Sequence, residues 1–137
     1  MLTKKYLVKE KDYVNAGKVS SSIKKELKTI GVDESVIRKV AIASYEAEIN
    51  MIIHAYGGEI TFSIDEGTIE LVFADLGPGI PNVDLAMTPG WSTASDDARQ
   101  MGFGAGMGLV NIKRYSDSFD LKTSPEGTTI TLQFKVI

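Results

Sequence analysis

The stretch Gly127-Thr128-Thr129-Ile130-Thr131-Leu132-Gln133-Phe134-Lys135-Val136 alternates apolar and polar residues from Thr129 onward. Successive side chains of a strand point to opposite faces. Ile130, Leu132, Phe134 and Val136 therefore share one face, and Thr129, Thr131, Gln133 and Lys135 the other. The same pattern recurs upstream. Ile60, Phe62 and Ile64 alternate with Thr61, Ser63 and Asp65, and Ile69, Leu71 and Phe73 repeat it after the turn Asp65-Glu66-Gly67. Phe119 and Leu121 share a face ahead of the turn Ser124-Pro125-Glu126-Gly127, and Leu2 to Lys9 reads as a short strand. Strands covered on both faces read as continuous apolar runs, and these do not. The fold class that follows is α/β of the α+β kind. It is a two-layer sandwich, with a mixed, mainly antiparallel sheet and helices on one face. The Thr-rich face is left to solvent or to a partner.

Two helices supply the second layer near the start of the chain. Asp12 is placed to cap a helix from Tyr13 to about Ile30, with Ala16, Val19, Ile23, Leu27 and Ile30 in one stripe, and Gly31 ends it. Asp33 caps a longer helix from Glu34 to about Ala55, stopped by Gly57-Gly58. A chain of 137 residues suits one domain, here residues 1–137. The net charge of -3 argues against a general nucleic-acid binder. The absence of cysteine excludes disulfides and thiolate metal sites. There is no apolar run of about 18 residues to span a membrane, and the N-terminus is unlike a signal peptide, so the expected location is cytoplasmic.

Four glycines alternate in Gly102-Phe103-Gly104-Ala105-Gly106-Met107-Gly108, out of 13 in the chain, and glycine is the residue that loses most backbone entropy on folding. Such a run is a flexible hinge or a place where backbone must approach something closely. Leu109 to Tyr115 follows as a helix, and a glycine loop entering a helix N-terminus presents free N–H groups to an anion. Both readings stay open on these residues. The Walker A pattern is absent, and Met107 and Leu109 stand where the dinucleotide fingerprint needs glycine.

Three further features carry chemistry. Glu46 and Asn50 lie four apart on one face of the second helix, among Ile42, Ile49 and Ile53. A carboxylate and an amide in that setting either pair locally or bind something. Asp75 ends the strand Leu71-Val72-Phe73-Ala74 and is followed by Leu76-Gly77-Pro78-Gly79. It starts a turn, or it meets a flat ligand edge beside a loop with few side chains. From Val83 to Gly106 small and polar residues show little period, the pattern of a lid or a plain mobile loop. His54 is the chain's one histidine, and no zinc spacing accompanies it.

Together these pieces resemble the GHKL ATP-binding superfamily of gyrase, heat-shock chaperone, histidine-kinase and mismatch-repair ATPases. Glu46-x-x-x-Asn50 looks like its N box, and Asp75-x-Gly77-x-Gly79 like its first glycine box. Gly102 to Gly108 looks like the second glycine box, and Gly127-Thr128 like the adenine-side threonine. Within the superfamily, Glu46 to Tyr56 is similar to anti-sigma-factor serine kinases. Pro89-Gly90-Trp91-Ser92-Thr93 and Gly106-Met107-Gly108-Leu109 look closer to the switch kinases of stress-signalling complexes.

The resemblance implies a GHKL ATPase-like fold, ATP or ADP with Mg²⁺ as cofactors, and phosphorylation of a serine on a small regulatory protein. It implies as alternative a nucleotide-dependent module that sequesters a sigma factor or another partner. It leaves a homodimer open and implies no direct contact with nucleic acid or membrane. A histidine kinase is not expected, for want of a helix pair with a phospho-accepting histidine. Asp75 would accept from the adenine amine, where guanine presents a carbonyl. Asn50 would give an oxygen to Mg²⁺, and Glu46 would act on the incoming hydroxyl. Gly77 and Gly79 would shape the base end, and Thr128 would meet adenine directly or through water. Gly102, Gly104, Gly106, Met107, Gly108 and Leu109 would hold the phosphates, with Arg99 a further candidate at the γ-phosphate. Residues 83–106 would form the ATP lid.

Overall fold

A computed structural model of the chain describes residues 2–77, 79, 87 and 108–136. Arg99, Gly102, Gly104, Gly106 and Met107 lie outside the described residues, as does the expected lid apart from Met87. The strands are β1 (Leu2–Lys9), β2 (Gly57–Asp65), β3 (Thr68–Asp75), β4 (Ser118–Ser124) and β5 (Gly127–Lys135). The helices are α1 (Lys18–Ile30), α2 (Glu34–His54) and α3 (Gly108–Tyr115).

The strands form one sheet in the order β1-β2-β3-β5-β4. Every pairing is antiparallel, so the sheet described is antiparallel throughout rather than mixed. β5 turns back from β4 and inserts beside β3, which brings Gly127 and Thr128 to the end of β3 where Asp75 lies.

Register aligns the period-two pattern of each strand into apolar rows. Phe62, Leu71, Leu132 and Phe119 make one row across the sheet, and Ile60, Phe73, Ile130 and Leu121 the next. A slip of one residue in any strand would turn its whole apolar set to solvent, so burial itself holds this register. Against the rows pack Ile23 and Leu27 of α1, Ile37, Val40, Ala43, Ala47 and Met51 of α2, and Leu109 and Ile112 of α3. The opposite positions, such as Thr61, Thr129 and Thr131, are only half-buried.

α2 is buried on two sides. Ile49 and Ile53, off the main core stripe, are covered by Tyr13 and Ala16. This cover explains where the first expected helix departs from its reading. Residues 13–15 form a short 3-10 turn, and the α-helix begins only at Lys18. Asp12 does not cap the backbone; its carboxylate accepts from Asn15 Nδ2 at 2.8 and 2.9 Å. The break is Gly17, with φ 90°, where a Cβ would lie 3.0 Å from Tyr45 Cε1. The amides at the start of α1 are taken instead by Glu48 of α2. Its carboxylate accepts from Gly17 N at 3.1 Å, Val19 N at 3.3 Å and Ser20 N at 3.0 Å. Asp33 does cap α2 as read, accepting from Ser35 N at 3.1 Å. Among the described residues no helix is long and apolar enough to cross a membrane.

Candidate functional site

The end of β3 is held from three directions. Gly58 is the register partner of Asp75, and a Cβ on it would lie 2.2 Å from Ala74 O and 2.7 Å from Asp75 Cα. On the other side a Cβ on Gly127 would lie 2.2 Å from Asp75 O. Gly127 also has φ 156°, so a side chain there would be both strained and obstructed. The two glycines let the neighbouring strands close on the Asp75 backbone. Across the top, Gly77 is buried against Ala55 at the end of α2, and its N–H donates to Glu126 O at 3.2 Å. Gly79 crosses the β4–β5 turn so closely that a Cβ would lie 2.1 Å from Ser124 O.

This frame aims one carboxylate. Asp75 Oδ1 accepts the Thr128 backbone N–H at 2.7 Å. Among the described residues Thr128 is the only hydrogen-bond partner of this carboxylate, so Oδ2 is the oxygen left for a ligand to meet. Burial raises the Asp75 carboxyl above the usual range, and the Thr128 N–H pulls against that shift. Thr128 itself is buried, and its hydroxyl lies 2.8 Å from that of Thr123.

Glu46 and Asn50 stand on α2, both half-buried. With a rise of about 1.5 Å per residue, the order back from Ala55 is first Asn50, then Glu46. A ligand whose flat end met Asp75 and whose tail ran along α2 would reach them in that order. Burial raises the Glu46 carboxyl above the ordinary glutamate range, and hydrogen bonding with Asn111 of α3 opposes the rise. Asn111 thus ties the helix that follows the glycine run to the carboxylate of α2. Gly108 opens that helix, and Leu109 is buried against the core.

The structure therefore gathers Asp75, Gly77, Gly79 and Thr128 at one end, and sets Asn50 and Glu46 along the adjoining helix. Asn111, Thr123 and Gly58 were not singled out from sequence. In the sequence Gly58 reads only as a helix stop. The signal for Asn111 was its place between Leu109 and Ile112, off the apolar stripe. Thr123 shows only through the β4–β5 register, where it pairs with Thr128.

The arrangement suits an adenine nucleotide. A half-buried carboxylate ends β3 among glycines, so few side chains stand beside it to obstruct a planar ring. Asn50 offers a hard oxygen of the kind Mg²⁺ takes, with phosphate and water to complete the shell. Among the described residues no cluster of acidic or histidine side chains makes a cage of its own for a metal.

Known proteins resemble this chain over most of its length. The family model for the histidine kinase-like ATPase domain matches residues 10–134. The serine/threonine-protein kinase RsbT of Bacillus subtilis is 31% identical over 129 residues, 90% of this chain and 89% of that protein. An anti-sigma F factor of Halalkalibacterium halodurans is 33% identical over 109 residues, covering 74% of this chain and 70% of its own. The solved structure of the RsbU and RsbW domains of Rv1364c from Mycobacterium tuberculosis shares the fold, with a TM-score of 0.64 at 17% identity. That match takes in 97% of this chain and about a third of the longer one, 32%.

Proposed function

The chain belongs to the histidine kinase-like ATPase family, and we propose that it is an ATP-dependent protein-serine kinase acting on a small regulatory protein. The observation that carries this reading is Asp75, whose Oδ1 is fixed by the Thr128 amide at a strand end closely bordered by Gly58, Gly77, Gly79 and Gly127. The similarity to a serine/threonine-protein kinase over most of both chains supports it.

When bound, ATP supplies the phosphoryl group, and Mg²⁺ offsets the charge on the phosphates. The residues of the chain do the rest. Asp75 accepts from the exocyclic amine of adenine and disfavours guanine, whose carbonyl would face the carboxylate. Thr128 completes the base end. Asn50 would give its side-chain oxygen to the metal. Gly102, Gly104, Gly106, Met107, Gly108 and Leu109 would hold the phosphates, Arg99 would meet the γ-phosphate, and residues 83–106 would serve as the lid. Glu46 takes the proton of the acceptor serine, and burial, by raising its proton affinity, makes it a stronger base than an exposed glutamate.

A second reading follows from the anti-sigma F factor relatives. In it the nucleotide-loaded chain holds a sigma factor or similar protein, and transfer is secondary. The test is incubation with labelled ATP, Mg²⁺ and small regulator proteins encoded nearby in the genome, with partner affinity measured in parallel. Label on a serine of one regulator supports the kinase. Tight nucleotide-dependent binding without label supports the module.

A further inference from the structure

Thr123 and Thr128 face each other directly across the β4–β5 ladder, and their hydroxyl oxygens are 2.8 Å apart. That is a well-formed O–H···O distance, with one proton between the two oxygens. Each hydroxyl can donate once and accept twice, so the pair has one further proton to direct elsewhere. Thr128 is 4% exposed, which leaves its side chain little freedom outside this pairing. Its backbone N–H is already committed to Asp75 Oδ1. The same residue thus fixes the Asp75 acceptor through its main chain and is itself fixed through its side chain by Thr123. Thr123 also lies under the turn after Asp75, since a Cβ on Gly79 would stand 3.0 Å from its hydroxyl oxygen.

We infer that Thr123 is a specificity-positioning residue for the base, acting through Thr128. Either oxygen of the pair can be the donor, and in this role it is Thr123, whose donation to Thr128 Oγ1 turns the Thr128 proton outward as a donor beside the Asp75 acceptor. An acceptor and a donor side by side match the amine and adjacent ring nitrogen of adenine. Guanine reverses both, with a carbonyl and a ring N–H at those positions. This inference rests on the adenine-nucleotide reading of the site and assigns part of its base selectivity to a residue that does not touch the base.

The test is calorimetric affinity for ADP and GDP in the presence of Mg²⁺, for wild type and for Thr123→Val, Thr123→Ala and Thr123→Ser, with a thermal melt of each. Loss of one oriented hydrogen bond predicts that Thr123→Val and Thr123→Ala weaken ADP by about 3–10-fold. GDP affinity should fall less, so the ADP-to-GDP ratio narrows, and Thr123→Ser should return both values to near wild type. A wild-type ADP-to-GDP ratio in the valine and alanine variants overturns the inference while leaving the nucleotide reading standing. An equal loss for both nucleotides, tracking a lowered melting point, also overturns it, because Thr123 would then be only structural. A wild-type chain that binds neither nucleotide overturns the inference together with the reading beneath it.

Discussion

Asp75 is the residue on which the site turns, and its environment makes a sharp prediction. Its Oδ1 is held by the Thr128 N–H, so Asp75→Asn can preserve that bond and still remove the negative charge at Oδ2. A charge-assisted hydrogen bond is worth about 1.5–3 kcal/mol. Calorimetry should therefore show ATP affinity down by roughly ten- to a hundredfold in this variant, with GTP weak in both proteins. Equal affinity of the wild type for ATP and GTP would remove the adenine assignment. Gly127 gives a second prediction. Gly127→Ala puts a Cβ 2.2 Å from Asp75 O at a φ of 156°, so the strand end must move. Overpacking of this kind costs about 1–3 kcal/mol. Denaturant titration should show the loss, and nucleotide affinity should fall with it. The carboxylate at a strand end and the glycines after it were legible as a motif. That Gly58 and Gly127 clamp the Asp75 backbone was not, since the clamp depends on the partners chosen by β3.

At the scale of elements, the strands were legible because their period-two pattern is set by burial on one face, and burial is the strongest local signal a sequence carries. Their register, and with it the Thr123–Thr128 pair, came only with the sheet. The first helix was misread for a related reason. Its true start depends on Tyr45 packing on Gly17 and on Glu48 taking the α1 amides, and both partners lie on α2. Glu48 sits in the run Ala47-Glu48-Ile49, and its 2% exposure shows a buried cap rather than a solvated charge. Glu48→Ala should strand these donors and cost about 1–3 kcal/mol. Burial raises the Glu48 carboxyl above its ordinary value, and the amides of Ser20, Val19 and Gly17 oppose the rise. A group with a raised folded-state value binds its proton more tightly when folded. Its contribution is full below the unfolded value and is lost as pH rises through the folded one. Glu48→Gln should therefore flatten the decline of stability on going from acid toward neutral pH. Melts of wild type and Glu48→Gln across that range will check this, and identical slopes would remove Glu48 from the pH dependence.

For the molecule as a whole, the fold sets an order along α2. Ala55 lies by the end of β3, Asn50 follows back along the helix, and Glu46, joined to α3 through Asn111, lies farther still; in the proposed reading these are the base, metal and acceptor ends of the site. That order separates binding from transfer, and the kinase reading depends on the separation. Transfer should rise with pH through the elevated value of Glu46, because only the ionised carboxylate accepts a proton. The boxes that suggested this reading were visible as residue types at fixed spacings, whereas Asn111 was not, because only the packing of α3 on α2 brings it to Glu46. The most direct test is the initial rate of phosphotransfer from labelled ATP to a serine of the regulatory partner, measured with ATP affinity for wild type, Glu46→Gln and Asn50→Ala. Glu46→Gln should keep ATP affinity within a few-fold and lose about 10²–10⁴ in rate, while Asn50→Ala should lose Mg²⁺-dependent affinity and rate together. Undiminished transfer by Glu46→Gln, or a wild type that binds its partner tightly with nucleotide yet transfers nothing, would contradict the account.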